Sequence, residues 1–164
     1  MKTRALYLRT IVFGVIDSLV STVGLLAGID VAGAPHATIA LTGVVYAFVE
    51  AFSMAVGNFL SEESAEEYAK KADVDDGPSF GAAIMMFISF VLASFIPIVP
   101  YFLFVGEAAL LASVGISILA LFVVGMWSAR LARLPLVWRG VRMVLLGGAA
   151  IAIGVVIGTL VPVA

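Results

Sequence analysis

Residues 80–105 read FGAAIMMFISFVLASFIPIVPYFLFV, a run without a single Asp, Glu, Lys, Arg or His. It is longer than the roughly 20 residues a helix needs to cross a bilayer core. Residues 108–129 and 143–164 are equally free of charge, and 37–60 carries Glu50 as its one ionisable side chain. A fifth apolar run, 10–29, keeps only Asp17. Across the 164 residues 63% are hydrophobic and 12% charged. Soluble domains carry about 25% charged residues. The sequence therefore predicts an all-α, polytopic membrane protein with five transmembrane helices, folded as a single domain over 1–164. Its expected spans are 10–29, 37–60, 80–105, 108–129 and 143–164, with 61–78 as a short acidic extension.

The nine basic residues set the orientation. Lys2, Arg4 and Arg9 precede the first span, Lys70 and Lys71 lie between the second and third, and Arg130, Arg133, Arg139 and Arg142 lie between the fourth and fifth. All fall on one side, and the turns at 30–36 and 101–107 have none. The positive-inside rule makes the basic side cytoplasmic, which puts the N-terminus inside and the C-terminus on the opposite side. The acids Glu62, Glu63, Glu66, Glu67, Asp73, Asp75 and Asp76 do not reverse this, because acidic residues weigh little in the rule. The basic start, the apolar run and Ala32-Gly33-Ala34 imitate a signal peptide. The run is too long for an h-region, however, and a disposable segment has no use for Asp17 at its centre.

Several function classes fall away. Without cysteine there are no disulfides or thiolate metal sites. No basic cluster lies outside membrane-flanking positions, which argues against a nucleic-acid partner. Neither a nucleophile–base arrangement nor a phosphate-binding glycine loop nor a zinc-protease motif occurs, so the chain reads as a non-enzyme. Five spans cannot form two equal repeats, and a symmetric pathway would require two protomers related by a two-fold axis. Gly24-x-x-x-Gly28 and Gly154-x-x-x-Gly158 permit close helix contact, either within one protomer or at a dimer seam. Pro97 and Pro100 are expected to bend or end the third span.

Asp17 is where chemistry is expected. It cannot snorkel to the interface, so its insertion cost of about 3 kcal/mol must be offset by a partner or water inside the protein. Ser18, Ser21 and Thr22 surround it in sequence, with Ser21 one turn on. In the second span Thr42, Tyr46, Glu50, Met54, Asn58, Glu62 and Glu66 recur every four residues. Such a row drifts around a helix of 3.6 residues per turn, but three consecutive members share a face. Glu50, Met54 and Asn58 then offer a carboxylate, a thioether and an amide oxygen to one pathway, a set suited to Fe(II) or another late first-row ion. The thioether alone would be ordinary core packing.

Beyond the span, SEESAEEYAKK (61–71) pairs Glu62 with Glu66 and Glu63 with Glu67 at i, i+4. Like charges one turn apart disfavour a helix unless a cation offsets them. Two readings stay open for this run: capture of a metal ion, or neutralisation by the arginines of 128–142. Ser64 and Glu67 also fit a capping box, with a new helix starting there. Met85 and Met86 could add a soft ligand, although adjacent residues point about 100° apart and only one can face a given pathway. His36, the sole histidine, lies in the turn near Asp30 and could assist release.

IVFGVIDSLVSTVGLLAGI (11–29), EAFSMAVGNFLSEESAEEY (50–68) and FIPIVPYFL (95–103), with the glycine-rich last span from Leu145-Leu146-Gly147-Gly148, together resemble the vacuolar iron transporter family. The resemblance implies five membrane helices, a homodimer, and movement of Fe(II) and often Mn(II) out of the cytosol by proton antiport through a pathway at the dimer interface. It implies that Asp17 and Met54 are ion ligands in the pore. It also implies that Asn58 and the glutamates after it lie where family members receive metal. Two features depart from the pattern. Tyr46 stands where some members have a glutamate, with Glu50 one turn later. The long cytoplasmic metal-binding domain of plant-type members is missing, leaving Glu62, Glu63, Glu66 and Glu67 as a reduced capture site.

The resulting expectation is a homodimeric exporter in the cell membrane, with divalent metal and protons as its partners and no cofactor beyond the transported ion. Metal would pass from the glutamates through Asn58, Met54 and Glu50 to Asp17, with Ser21, Tyr46, Met85 and Met86 as additional candidates. The alternatives are a non-transporting scaffold or metal-sensing subunit, and a proton-coupled exporter of small organic cations. The latter needs an aromatic pocket, for which Tyr46 and Phe13 are the available residues.

Overall fold

A computed structural model describes residues 2–71, 75–131 and 134–162. Asp73, Arg133 and the last two residues of the expected fifth span lie outside it, as does the side chain of Lys2. The described chain is all-helical: α1 (Lys2–Val31), α2 (His36–Lys70), α3 (Gly77–Ile98), α4 (Pro100–Leu103), α5 (Glu107–Leu131) and α6 (Leu136–Leu160). All except α4 are long and apolar enough to cross a membrane.

Local sequence sets the ends of these helices. α1 stops where Gly33 takes a positive φ of 87°. There the Gly33 N–H donates to the Asp30 carbonyl and the Ala34 N–H to the Ile29 carbonyl, which closes the last turn as a glycine C-cap does. Pro97 lies inside α3, one residue before its end at Ile98. The break falls at Val99, and Pro100 starts the short α4. Proline lacks the N–H that the ladder needs, and around this break the Pro97 carbonyl accepts a hydrogen bond from Ser113 Oγ of α5 at 2.7 Å. α2 runs unbroken through Ser64, so no second helix starts at the capping-box sequence.

The packing inverts that of a soluble domain. Large apolar side chains such as Leu41, Phe52, Leu92, Leu111, Leu119 and Leu145 lie on the outside. The inside uses small residues, as in the buried series Gly43, Ala47, Ala51, Ala55 of α2 and Ala109, Ser113, Ser117 of α5. Lipid is as apolar as leucine, so burial of leucine gains little here and close approach of backbones gains more. α1 is the hub and touches α2, α3, α5 and α6. Two of its seams are unlike. Against α3 the seam is polar: Ser18 Oγ donates to the Phe90 carbonyl at 2.8 Å and lies 2.7 Å from Ser94 Oγ, with Thr22 Oγ1 3.4 Å from the same Ser94. Against α6 the seam is bare backbone. A Cβ on Gly28 would lie 2.7 Å from the Gly154 carbonyl oxygen, and Cβ atoms on Gly154 and Gly158 would collide with the carbonyls of Gly24 and Gly28. The two glycine pairs of the sequence thus pack on each other within one protomer.

Replacing Gly154 with Ala should overpack this seam, at a cost of about 1–3 kcal/mol. Gly148→Ala, at a position with open space around its would-be Cβ, should leave thermal unfolding in detergent unchanged. Equal melting temperatures for the two variants would contradict the seam.

Candidate functional site

The fourth side of α1, between α2 and α6, is open. Phe13, Asp17 and Ser21 follow one another along it at one-turn spacing; Phe13 is exposed, and Asp17 and Ser21 are half-buried. The three hydroxyl residues around Asp17 divide between faces. Ser18 and Thr22 turn into the α3 seam, and only Ser21 shares Asp17's side, where its hydroxyl donates to the Asp17 carbonyl at 2.6 Å. Tyr46 of α2 lies beside Ser21. Glu50, one turn beyond Tyr46, lies close enough to act electrostatically on both Tyr46 and Asp17. Two carboxylates from two helices therefore share one half-buried polar patch within the apolar region. Opposite the open side, the Tyr46 ring packs at a tilt on Phe90 with centroids 6.5 Å apart.

Toward the basic end the patch gives way to a cleft of about 580 Å3, lined by Thr10, Phe13, Met54, Asn58, Met86, Arg9 and Glu62 among others. Met86 is fully buried in its wall and packs with Met54. Gly14 makes room for it, since a Cβ there would lie 3.0 Å from Met86 Sδ. Met85 points elsewhere and is 37% exposed. Two polar atoms in the cleft are orphaned: Thr10 Oγ1 and Asn58 Nδ2 are buried without a hydrogen-bond partner. Buried polar groups are seldom left unpaired, and those that are call for an explanation such as a water or an ion.

The glutamates of the α2 extension are dispersed. Glu62 pairs with Arg9 of α1. Glu66 pairs with Lys70 at 3.0 Å. Glu63 is half-buried and Glu67 exposed. Among the described residues no three His, Asp or Glu side chains gather into a group that could hold a metal. Among the described residues α2 makes no backbone contact with α5 or α6. At the opposite end His36 Nε2 lies 2.6 Å from the Tyr101 carbonyl. A carbonyl only accepts, so that nitrogen carries the proton and ties α2 to α4.

Sequence reasoning passed over Thr10 and the partner of Glu62. A signal existed for the first, because Thr10 lies two turns before Asp17 on the same face of α1. None existed for the second, since a contact between the start of α1 and the end of α2 is a product of packing.

The chain matches the model of the VIT family over residues 8–76 and 72–159. It is also similar to an uncharacterized protein of Methanocaldococcus jannaschii, at 27% identity over 163 aligned residues that cover 88% of this chain and 84% of that one.

The division of hydroxyls between faces has a measurable consequence. Ser94→Ala removes a shared partner of Ser18 and Thr22 and should destabilise the fold by about 0.6–2 kcal/mol. Ser21→Ala, on the open side, should cost less. Thermal unfolding of both variants in detergent checks the order, and the reverse order would mean that the α3 seam is not the stabilising one.

Proposed function

The chain belongs to the VIT family, whose members transport metal ions across membranes, and on that premise we propose that it exports Fe(II) and/or Mn(II) by proton antiport as a homodimer. The observation that carries this reading is the joint placement of Asp17 and Glu50 on the open side of α1. A carboxylate facing lipid costs several kcal/mol, and in a single protomer Asp17 and Glu50 are only half-buried. A second copy related by a two-fold axis would cover that side with an identical face, excluding lipid and doubling the number of carboxylates. The absence of a three-ligand acidic group among the described residues of one chain fits a site that two chains share.

The donors along the route suit the cargo. Met54 and Met86 supply thioethers, Asp17 and Glu50 carboxylates, and Asn58 an amide. Such a mixture favours late first-row ions over Mg(II) or Ca(II), which prefer all-oxygen shells. Carboxylates must be deprotonated to ligate. Loading an ion therefore expels protons, and release lets protons bind in its place, which is the exchange an antiporter needs. With the basic ends of the helices on the cytoplasmic side, metal runs from the Glu62–Glu67 extension past Asn58, Met54 and Glu50 to Asp17 and leaves at the end free of Lys and Arg.

Proteoliposomes holding a pH-sensitive dye test this directly. Fe(II) and Mn(II) flux should be accompanied by opposite proton movement, Ca(II) should not be carried, and Asp17→Asn should lose the flux while remaining monodisperse in detergent. Normal transport by that variant would overturn the assignment of Asp17. Absence of flux for any ion in the unmodified protein would overturn the transport reading and favour a metal-sensing or scaffold subunit.

A further inference from the structure

The bridge between Arg9 and Glu62 stands where a cation pathway should not have a guanidinium. Arg9 and Glu62 line both the cleft that holds Thr10, Met54, Asn58 and Met86 and a second, more polar recess on its basic-end side, which Glu66, Lys70 and Asp75 border. The pair is thus the partition between the recess and the cleft. Its two members are unequally placed: the Arg9 side chain is 66% exposed and that of Glu62 only 18%. The carboxylate belongs to the inside and the guanidinium covers it from without. Immediately behind, Thr10 Oγ1 and Asn58 Nδ2 are orphaned, and Thr10 is 2% exposed. The side chain amide of Asn58 can rotate by half a turn to present its oxygen where its nitrogen lies, because the two ends have nearly the same shape.

We propose that the Arg9–Glu62 pair is a latch over an inner holding site for a divalent cation, formed by the Glu62 carboxylate, Thr10 Oγ1, the Asn58 amide oxygen and the Met86 thioether. This deepens the transport reading and rests on it. The ion takes the Glu62 carboxylate from Arg9, the guanidinium swings toward solvent, Thr10 Oγ1 gains a partner, and the rotated Asn58 amide turns its oxygen to the ion while its nitrogen leaves the orphaned position. An exposed ion pair is worth at most about 1 kcal/mol, so a divalent cation with several ligands can displace Arg9, whereas a monovalent cation gains too little from one carboxylate to do so. A fully buried pair would have been too costly to open. The latch therefore filters by charge, and the Met86 thioether behind it by softness.

Initial rates of Mn(II) uptake into proteoliposomes, measured against Mn(II) concentration for the full chain, distinguish the outcomes. Arg9→Gln removes the competitor and should lower KM by up to about fivefold, the factor that corresponds to 1 kcal/mol. Thr10→Val keeps the shape but removes a ligand, and should raise KM. Unchanged KM in both variants, or loss of flux in a monodisperse Arg9→Gln protein, would overturn the latch while leaving the transport reading intact. Absence of Mn(II) and Fe(II) flux in the unmodified protein would overturn the transport reading itself.

Discussion

A carboxylate can be kept in the middle of an apolar helix only if the rest of that helix is held firmly enough to fix what the carboxylate faces. Asp17 depends on this condition, and α1 meets it through three different kinds of contact. The Ser18–Ser94–Thr22 seam satisfies hydroxyls against α3 at hydrogen-bond distance. The paired glycines bring α6 to backbone contact. Leu19 and Leu121 join α1 to α5 through an apolar cluster with Ala93. Each contact takes a different face, and the face left over is the one with Phe13, Asp17 and Ser21.

The same arrangement explains why small residues dominate the interior. Backbone approach between helices is the main packing gain in lipid, where apolar side chains are solvated equally well outside. Gly14 shows the consequence for chemistry. Its missing side chain admits Met86 Sδ to the wall of the cleft, so a packing device and a soft donor come from one adjustment.

Much of this was legible in the sequence. The charge-free runs and the polarity of Asp17 and Glu50 followed from composition and four-residue spacing, because membrane helices cannot hide a charge. Orders of contact were less legible. Ser18, Ser21 and Thr22 looked like one polar cluster, and their division arose from which neighbour each met: 100° per residue separates Ser18 from Asp17, and the sequence does not say that α3 lies there. The glycine pairs were ambiguous for the same reason, since a small-residue face fits a helix of its own chain and one of another equally well. Glu62 looked like a free capture ligand until packing brought Arg9 beside it. Pro97 and Pro100 were expected to bend or end the third span, and α3 does end at Ile98, one residue past Pro97, with Pro100 opening α4; the hydrogen bond from Ser113 to the Pro97 carbonyl eases the break.

A transit route must bind its ion well enough to admit it and poorly enough to let it go. A chain that gathered three carboxylates around one point would store a metal; this one spaces them. Asp17 and Glu50 share one patch, Met54, Asn58 and Met86 line the next, and Glu62 stands at the boundary under Arg9. Each station is incomplete within a protomer. On the proposed transport reading, incompleteness would give every station a low affinity of its own and make completion depend on events: a second copy beside Asp17, or departure of the guanidinium from Glu62. On that reading the ion would move because each site is finished only while it is needed, and the half-buried face of α1 that carries Asp17 and Ser21 would supply that condition.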